Sequence, residues 1–288
     1  MSSPAALPLP CAPSFTDVGG VRTRAVIAGE GPPLVLLHGI GRSLEDWEAN
    51  LAPLSERHRV YALDLIGFGY TDKPDVPYSL AGLARFVAHF LDAVGETRPV
   101  TLIGNSLGGA VAQRFAATFP ERTRGLILVN SAGFGREIAA ILRVLTVPRL
   151  GELLLRSTKL SARQTVRSLF HDPRLATPER VAAALDLARQ PGAARTFLRV
   201  LRDLGDWRGA KTVWREELLG RLAERRLPTL IVWGDHDLIL PARLLDAARR
   251  HHPHAQFHLF RDTGHMPQLE RAETFNRLAL DFLQEVSV

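Results

Sequence analysis

Residues 104–109 read "GNSLGG" and place one hydroxyl, Ser106, among glycines where an apolar run meets a helical one. The run before it, "RPVTLIG", is apolar and partly β-branched, and the run after it, "AVAQRFAATFP", has helical spacing. Gly104-Asn105-Ser106-Leu107-Gly108 fits G-x-S-x-G, a pattern that lifts a serine Oγ above a sheet on a one-residue turn. Such a turn drives the serine toward left-handed backbone values, and the glycines leave room for strand and helix to approach. The helix N-terminus adds free N–H groups and positive potential beneath the hydroxyl. The alternative is a glycine turn capped by serine, with no chemistry. A serine hydroxyl is too weak an acid to attack unaided. It needs a base, and the base needs an orienting carboxylate.

In this arrangement the chain order is serine, then acid, then histidine. Of ten histidines, His265 lies in the short loop "RDTGHMPQLE", after the strand-like "AQFHLF" and before the last helix. It is the candidate base. His251, His252 and His254 sit at a helix end, where a cation suits the helix dipole. His171 falls in the inserted segment described below and His236 beside the acid loop, neither in the expected order and place. In "WGDHDLILP", Asp235 and Asp237 compete for the acid role, and Asp237, three residues past Gly234, is better placed to reach His265. The oxyanion of an acyl transfer needs two N–H donors. One is expected from Leu107, after the nucleophile, and the other from Ile40, with Gly41 next, in the loop after "LVLLHG". His38 shapes that loop. Gly39, Gly41 and Met266, beside these groups, are candidate substrate-binding residues.

The elements that must position these groups follow from periodicity. "LVLLHG", "RVYALDL", "PVTLIGNS", "GLILVNSAG" and "LPTLIVWG" are short apolar runs, and helical patterns separate them. Strands that are apolar throughout imply a parallel sheet covered on both faces. "SLEDWEANLAPLSERH" reads as a helix with Ser43 as N-cap, and "SLAGLARFVAHFLDAVG" as one closed by Gly95. From about Phe134 to Arg226 no strand-like run appears; helix follows helix. The expected organisation is a flexible leader (1–20), an α/β core (21–133 and 227–288) and a helical lid inserted at 134–226. An insertion after a strand lies at the carboxyl edge of the sheet, where ligands bind in such folds.

Composition excludes several classes. With 46% hydrophobic residues and 23% charged, the 288 residues suit one large globular domain. The net charge of +6 is concentrated in the lid: between Gly133 and Arg226, 19 Lys/Arg face 10 Asp/Glu. No nucleic-acid motif accompanies that surplus, so it reads as solvated helix faces. The one cysteine, Cys11, excludes an internal disulfide and a cysteine metal site. No apolar stretch is long enough to span a membrane, and "MSSPAALPLPCAPSF" is not a signal peptide. The expectations are a cytoplasmic protein with no metal, no nucleic acid and no membrane partner. Homo-oligomer formation stays open.

With these pieces placed, the chain resembles the α/β-hydrolase superfamily from about Val21 to Val288. The resemblance rests on "HGIG" (38–41), "DLIGFGYTDKP" (64–74), "GNSLGG" (104–109), "WGDHD" (233–237) and "GHMPQLE" (264–270). It implies a Ser106–Asp237–His265 triad, a mostly parallel eight-stranded sheet with helices on both faces, a helical cap and no cofactor. Haloalkane dehalogenases and epoxide hydrolases carry aspartate at the position of Ser106, which sets them apart. The nearest-looking branch is the meta-cleavage-product hydrolases, which break C–C bonds and share "GNS-x-GG" and an "NSAG"-like strand end, here "VNSAG" (129–133). In that branch Asn105 would help bind substrate. The chain departs from the branch at "HGIGRS" and at Met266. The expected activity is cleavage of small, mainly apolar carboxylic esters through an acyl-enzyme, with C–C hydrolysis and a non-enzymatic ligand receptor as alternatives.

Overall fold

The computed structural model describes residue 9, residues 11–223 and residues 225–287. Its main sheet has eight strands: β1 (Ser14–Val18), β2 (Val21–Ala28), β3 (Pro33–Leu37), β4 (Arg59–Leu63), β5 (Val100–Asn105), β6 (Thr123–Val129), β9 (Thr229–Gly234) and β10 (Gln256–Phe260). Their order is β1-β2-β4-β3-β5-β6-β9-β10. β2 runs antiparallel to both β1 and β4, and every pairing from β4 onward is parallel. The carboxyl ends of β3, β5, β6, β9 and β10 therefore share one edge. This is the α/β architecture the apolar runs imply.

The period of two along each strand divides the core. Val35, Leu37, Leu102, Leu128 and Trp233 face one apolar cluster, which α2 (Leu80–Ala93) and α3 (Leu107–Thr118) cover. Leu34, Leu36, Ile103, Val129 and Val232 face the other, closed by Trp47, Phe275 and Phe282. Trp47 ends a 3-10 turn, and the two phenylalanines lie on the last helix, α12 (Ala272–Ser287). α2 begins and ends as its sequence dictates. Ser79 Oγ accepts the Gly82 N–H at 3.1 Å, and Gly95 takes φ 73° just past the end.

Three local expectations change. The stretch 1–20, expected as a leader, contains β1, which is hydrogen-bonded along β2. Residues 1–8 and 10 lie outside the described residues. The helix expected over "SLEDWEANLAPLSERH" is a 3-10 turn, Leu44–Trp47, followed by the short α1, Leu51–Ser55. The expected cap has another partner: Ser43 Oγ donates to Glu45 Oε2 at 2.6 Å, while the neighbouring Asp46 pairs with Arg42 at 2.5 Å. The segment 134–226 is also not all cap. It comprises α4 (Ala140–Leu145), α5 (Leu150–Leu154), α6 (Lys159–Leu169), α7 (Pro178–Arg189), α8 (Ala193–Leu204), a two-residue hairpin β7 (Gly205–Asp206) and β8 (Gly209–Ala210), and α9 (Thr212–Ala223). Leu218, Leu219 and Leu222 of α9 belong to the core cluster, and Glu217 bridges Arg114 of α3 at 2.9 Å. α9 is thus a core helix, and the inserted part is α4–α8 with the hairpin. Among the described residues no helix is long and apolar enough to cross a membrane.

His252, expected as a favourable cation at the end of α10 (Leu244–His251), is not one. Its ring stands edge-on to Phe134 at 5.6 Å, and its Nε2 is buried without a hydrogen-bond partner among the described residues. Burial, with His251 beside it, lowers its pKa from 6.5 to about 4. The folded chain then binds fewer protons than the unfolded one between those values. The stabilisation is complete above the unfolded value and is lost as pH falls toward the folded one. Acidification across that window should remove about 2 kcal/mol through His252 alone, after allowing for its partial exposure. Denaturant melts of wild type and His252→Gln at neutral and acidic pH check this: the variant should lose less stability by that amount.

Candidate active site

Ser106 takes φ 55° and ψ −114° between β5 and α3. A non-glycine residue held there stores about 1–3 kcal/mol of strain, so its surroundings must over-determine it. They do. A Cβ on Gly104 would lie 2.3 Å from the Gly108 carbonyl carbon, and one on Gly108 would lie 2.2 Å from Leu37 O. Strand, helix and the end of β3 therefore meet at distances only glycine permits. Ser106 N–H donates to Val129 O at 3.0 Å, and Ser106 O accepts from Ala132 N–H at 3.1 Å, which ties the turn to β6 on both sides.

His265 and Asp237 come together at the same edge. His265 Nδ1 lies 2.7 Å from Asp237 Oδ2, and both residues are buried. Asp237 Oδ2 also accepts from Asn130 Nδ2 at 2.6 Å, and Oδ1 accepts the Ile239 and Leu240 N–H groups at 2.7 and 2.9 Å. Every one of these bonds has the carboxylate accepting, the pattern of the ionised group. The His265 Nδ1–H then points at Asp237, and Nε2 keeps the lone pair in the neutral imidazole. Asp235, the competing acid, instead bonds His236 Nδ1 at 2.7 Å and the Thr263 N–H at 3.2 Å. Burial raises its pKa, but those two bonds outweigh it and hold the carboxyl below its usual range.

The loop after β3 abuts the serine: a Cβ on Gly39 would come within 3.4 Å of Ser106 Cβ. Its shape is set by His38, which bonds Gly39 O through Nδ1 at 2.7 Å and accepts the Leu65 N–H on Nε2 at 3.0 Å. Asp64, fully buried after β4, accepts the Leu44 N–H at 2.7 Å and the Tyr70 N–H at 2.8 Å and faces Arg24 at 3.3 Å. Burial pushes its pKa up, against the pull of Arg24 and His38. Among the described residues neither Ile40 N–H nor Leu107 N–H is engaged by a protein acceptor. Gly41, at φ 70°, leaves space that Phe197 of α8 fills.

Two candidate substrate residues have other surroundings. Asn105 Nδ2 donates to Val129 O at 3.2 Å and His265 O at 3.0 Å, so its amide nitrogen ties the histidine loop to β6 and only Oδ1, beside Gly39, faces the loop after β3. Met266 is buried in a cluster with Val166, Leu169 and Phe170 of the cap.

Sequence reasoning missed Asn130 and Glu270. Asn130, at φ 42°, donates to Asp237 and to Gly264 O at 3.3 Å, and accepts the Gly234 N–H at 3.3 Å. An asparagine cannot serve as the acid, and its tolerance of left-handed backbone is the only signal the sequence offers for it. Glu270 accepts the N–H groups of Gly264 at 2.7 Å, His171 at 3.2 Å and Asp172 at 2.6 Å. With His265 N–H donating to Leu169 O at 2.8 Å, it clasps the cap to the histidine loop. No sequence pattern marks that partnership. Replacing Asn130 with alanine leaves buried partners unpaired and a left-handed position without its amide, and should cost about 2–3 kcal/mol in urea unfolding.

Comparison with known proteins agrees with this geometry. A sequence profile of the alpha/beta hydrolase fold matches residues 32–272. An uncharacterized protein of Mycobacterium tuberculosis is 35% identical over 266 residues, 88% of this chain and 75% of that one. The 2-hydroxy-6-oxononadienedioate/2-hydroxy-6-oxononatrienedioate hydrolase of Comamonas testosteroni is 32% identical over 266 residues, 89% of each chain. The solved meta-cleavage product hydrolase CumD of Pseudomonas fluorescens IP01 superposes with a TM-score of 0.81 at 26% identity, covering 94% of this chain and 97% of that one. The chain belongs to the α/β-hydrolase family.

Proposed function

We propose that the protein is a serine hydrolase of small, mainly apolar carboxylic esters, working through an acyl-enzyme. The observation that carries this is the Asp237–His265 pair, buried and hydrogen-bonded at 2.7 Å, at the sheet edge where Ser106 stands on its strained turn. His265 Nε2 takes the Ser106 proton as Oγ attacks the acyl carbon. Asp237 holds the tautomer and stabilises the imidazolium. The unengaged N–H groups of Leu107 and Ile40 receive the oxyanion. The imidazolium then protonates the leaving alcohol. Water, deprotonated by the same imidazole, attacks the acyl-enzyme and releases the acid. No step calls for a cofactor. The cap supplies apolar walls, with Phe197 packed on Gly41. The lone Cys11 supports a cytoplasmic setting as part of the same proposal.

A second reading, C–C bond hydrolysis of a dienol acid, is favoured by the 32% identity to the Comamonas enzyme. The same serine, histidine and aspartate would serve it. The Asn105 amide nitrogen is engaged by main-chain carbonyls, so in that branch its Oδ1, beside Gly39, is the atom left to meet substrate.

Turnover of p-nitrophenyl esters of graded acyl length, beside one dienol acid, separates the two. Ester turnover at least tenfold above that of the dienol acid in kcat/KM is expected, and the reverse order supports the C–C reading. Ser106→Ala should abolish turnover. Asp237→Asn should lower kcat by about 10³–10⁴, while Asp235→Asn should change it by less than about threefold. Retained activity in the Ser106 variant contradicts the proposal.

A further inference from the structure

His171, His236 and Asp262 converge beside the site without taking part in the reaction proposed for it. They come from three segments: the cap just after α6, the loop after β9 between Asp235 and Asp237, and the loop after β10 that leads to His265. All three are exposed, and one ligand atom of each lies within 4.8 Å of the others. The two imidazole centroids are 4.1 Å apart, with the rings inclined at 40°.

Two features give the cluster the character of a binding site. His236 Nδ1 bonds Asp235 Oδ1 at 2.7 Å, and Asp235 is itself fixed by the Thr263 N–H at 3.2 Å. That bond leaves the lone pair on Nε2 and orients the ring, the carboxylate–histidine support that metal-ligating histidines use. The Asp262 carboxylate and the His171 ring nitrogens have no hydrogen-bond partner among the described residues, so their lone pairs are available. Asp262 sits at φ 49°, with its carbonyl accepting from Arg271 at 2.9 Å, so its loop holds the position independently of the side chain. Arg261 faces the second oxygen of Asp235 at 3.9 Å.

We propose that His171, His236 and Asp262 bind a borderline divalent transition-metal ion of the zinc type, bridging the cap to the loops that carry Asp237 and His265. Two imidazoles and one carboxylate are a zinc donor set, with a water completing the tetrahedron. An ion at about 2.0–2.2 Å from each ligand holds the ligand atoms about 3.3 Å apart. The exposed side chains close that difference by rotation. The ion cross-links the segment that Glu270 already clasps, so it stabilises the capped state and slows turnover without entering the chemistry.

Calorimetric titration of the full chain with zinc chloride, above the pH range where histidine protonates, tests the site. One ion per chain with a micromolar Kd is expected. His171→Ala and Asp262→Asn should each weaken it by about 10–100-fold, while His89→Ala, on the exposed face of α2, leaves it unchanged. Zinc at saturating excess should raise Tm by about 3–6 °C in wild type but not in the two site variants. Millimolar or weaker binding in the wild type, or an affinity that either site variant leaves unchanged, overturns the proposal.

Discussion

The backbone of Ser106 is the constraint on which the rest of this structure turns. A residue with a side chain is held at φ 55°, where it costs free energy, and nothing local repays that cost. The compensation is global. β3, β5 and α3 approach so closely that Gly104 and Gly108 admit no Cβ, and both polar groups of the serine main chain are bonded toward β6 and its following loop. Relaxing the serine would require opening the centre of the parallel sheet. A hydroxyl is thereby fixed clear of the strand ends, over a helix N-terminus, before any substrate arrives.

The same edge holds the histidine by a chain of hydrogen bonds that starts at the side chain of the serine's neighbour. Asn105 reaches His265 O, Asn130 reaches Asp237 and Gly264 O, and Leu169 O of the cap accepts the His265 N–H. Three loops from distant parts of the chain are registered to the end of β6, and the cap is registered to them. Movement of the cap at Leu169–Asp172 is therefore mechanically linked to His265, directly and through Glu270. This linkage makes a metal bridge at His171 consequential for turnover even though it touches no reacting atom.

The parts legible in the sequence were those that local physics dictates. Continuous apolar runs identified β3, β5, β6 and β9, glycine spacing placed the turn at Ser106, and loop position separated Asp237 from Asp235. The parts that were not legible depend on partners far away in the chain. Ser43 carries the signature of a helix cap, yet its hydroxyl goes to Glu45, within a charge cluster that Arg24 and Asp64 complete. α9 looks like one more cap helix because its periodicity does not reveal which surface it covers. Asn130 and Glu270 are ordinary polar residues until the fold brings Asp237 and the cap to them. His252 follows a helix C-terminus, where sequence suggests a cation, and is instead buried against Phe134.

The central claim is that Ser106 is a nucleophile made reactive by His265. Its most direct test is the rate at which a fluorophosphonate labels the purified protein, with the adduct located by mass spectrometry. Stoichiometric labelling confined to Ser106, slowed at least about a thousandfold in His265→Ala, is the predicted result. Absence of labelling at Ser106, or labelling at an undiminished rate in that variant, would contradict the account and point to a fold that keeps these residues for binding alone.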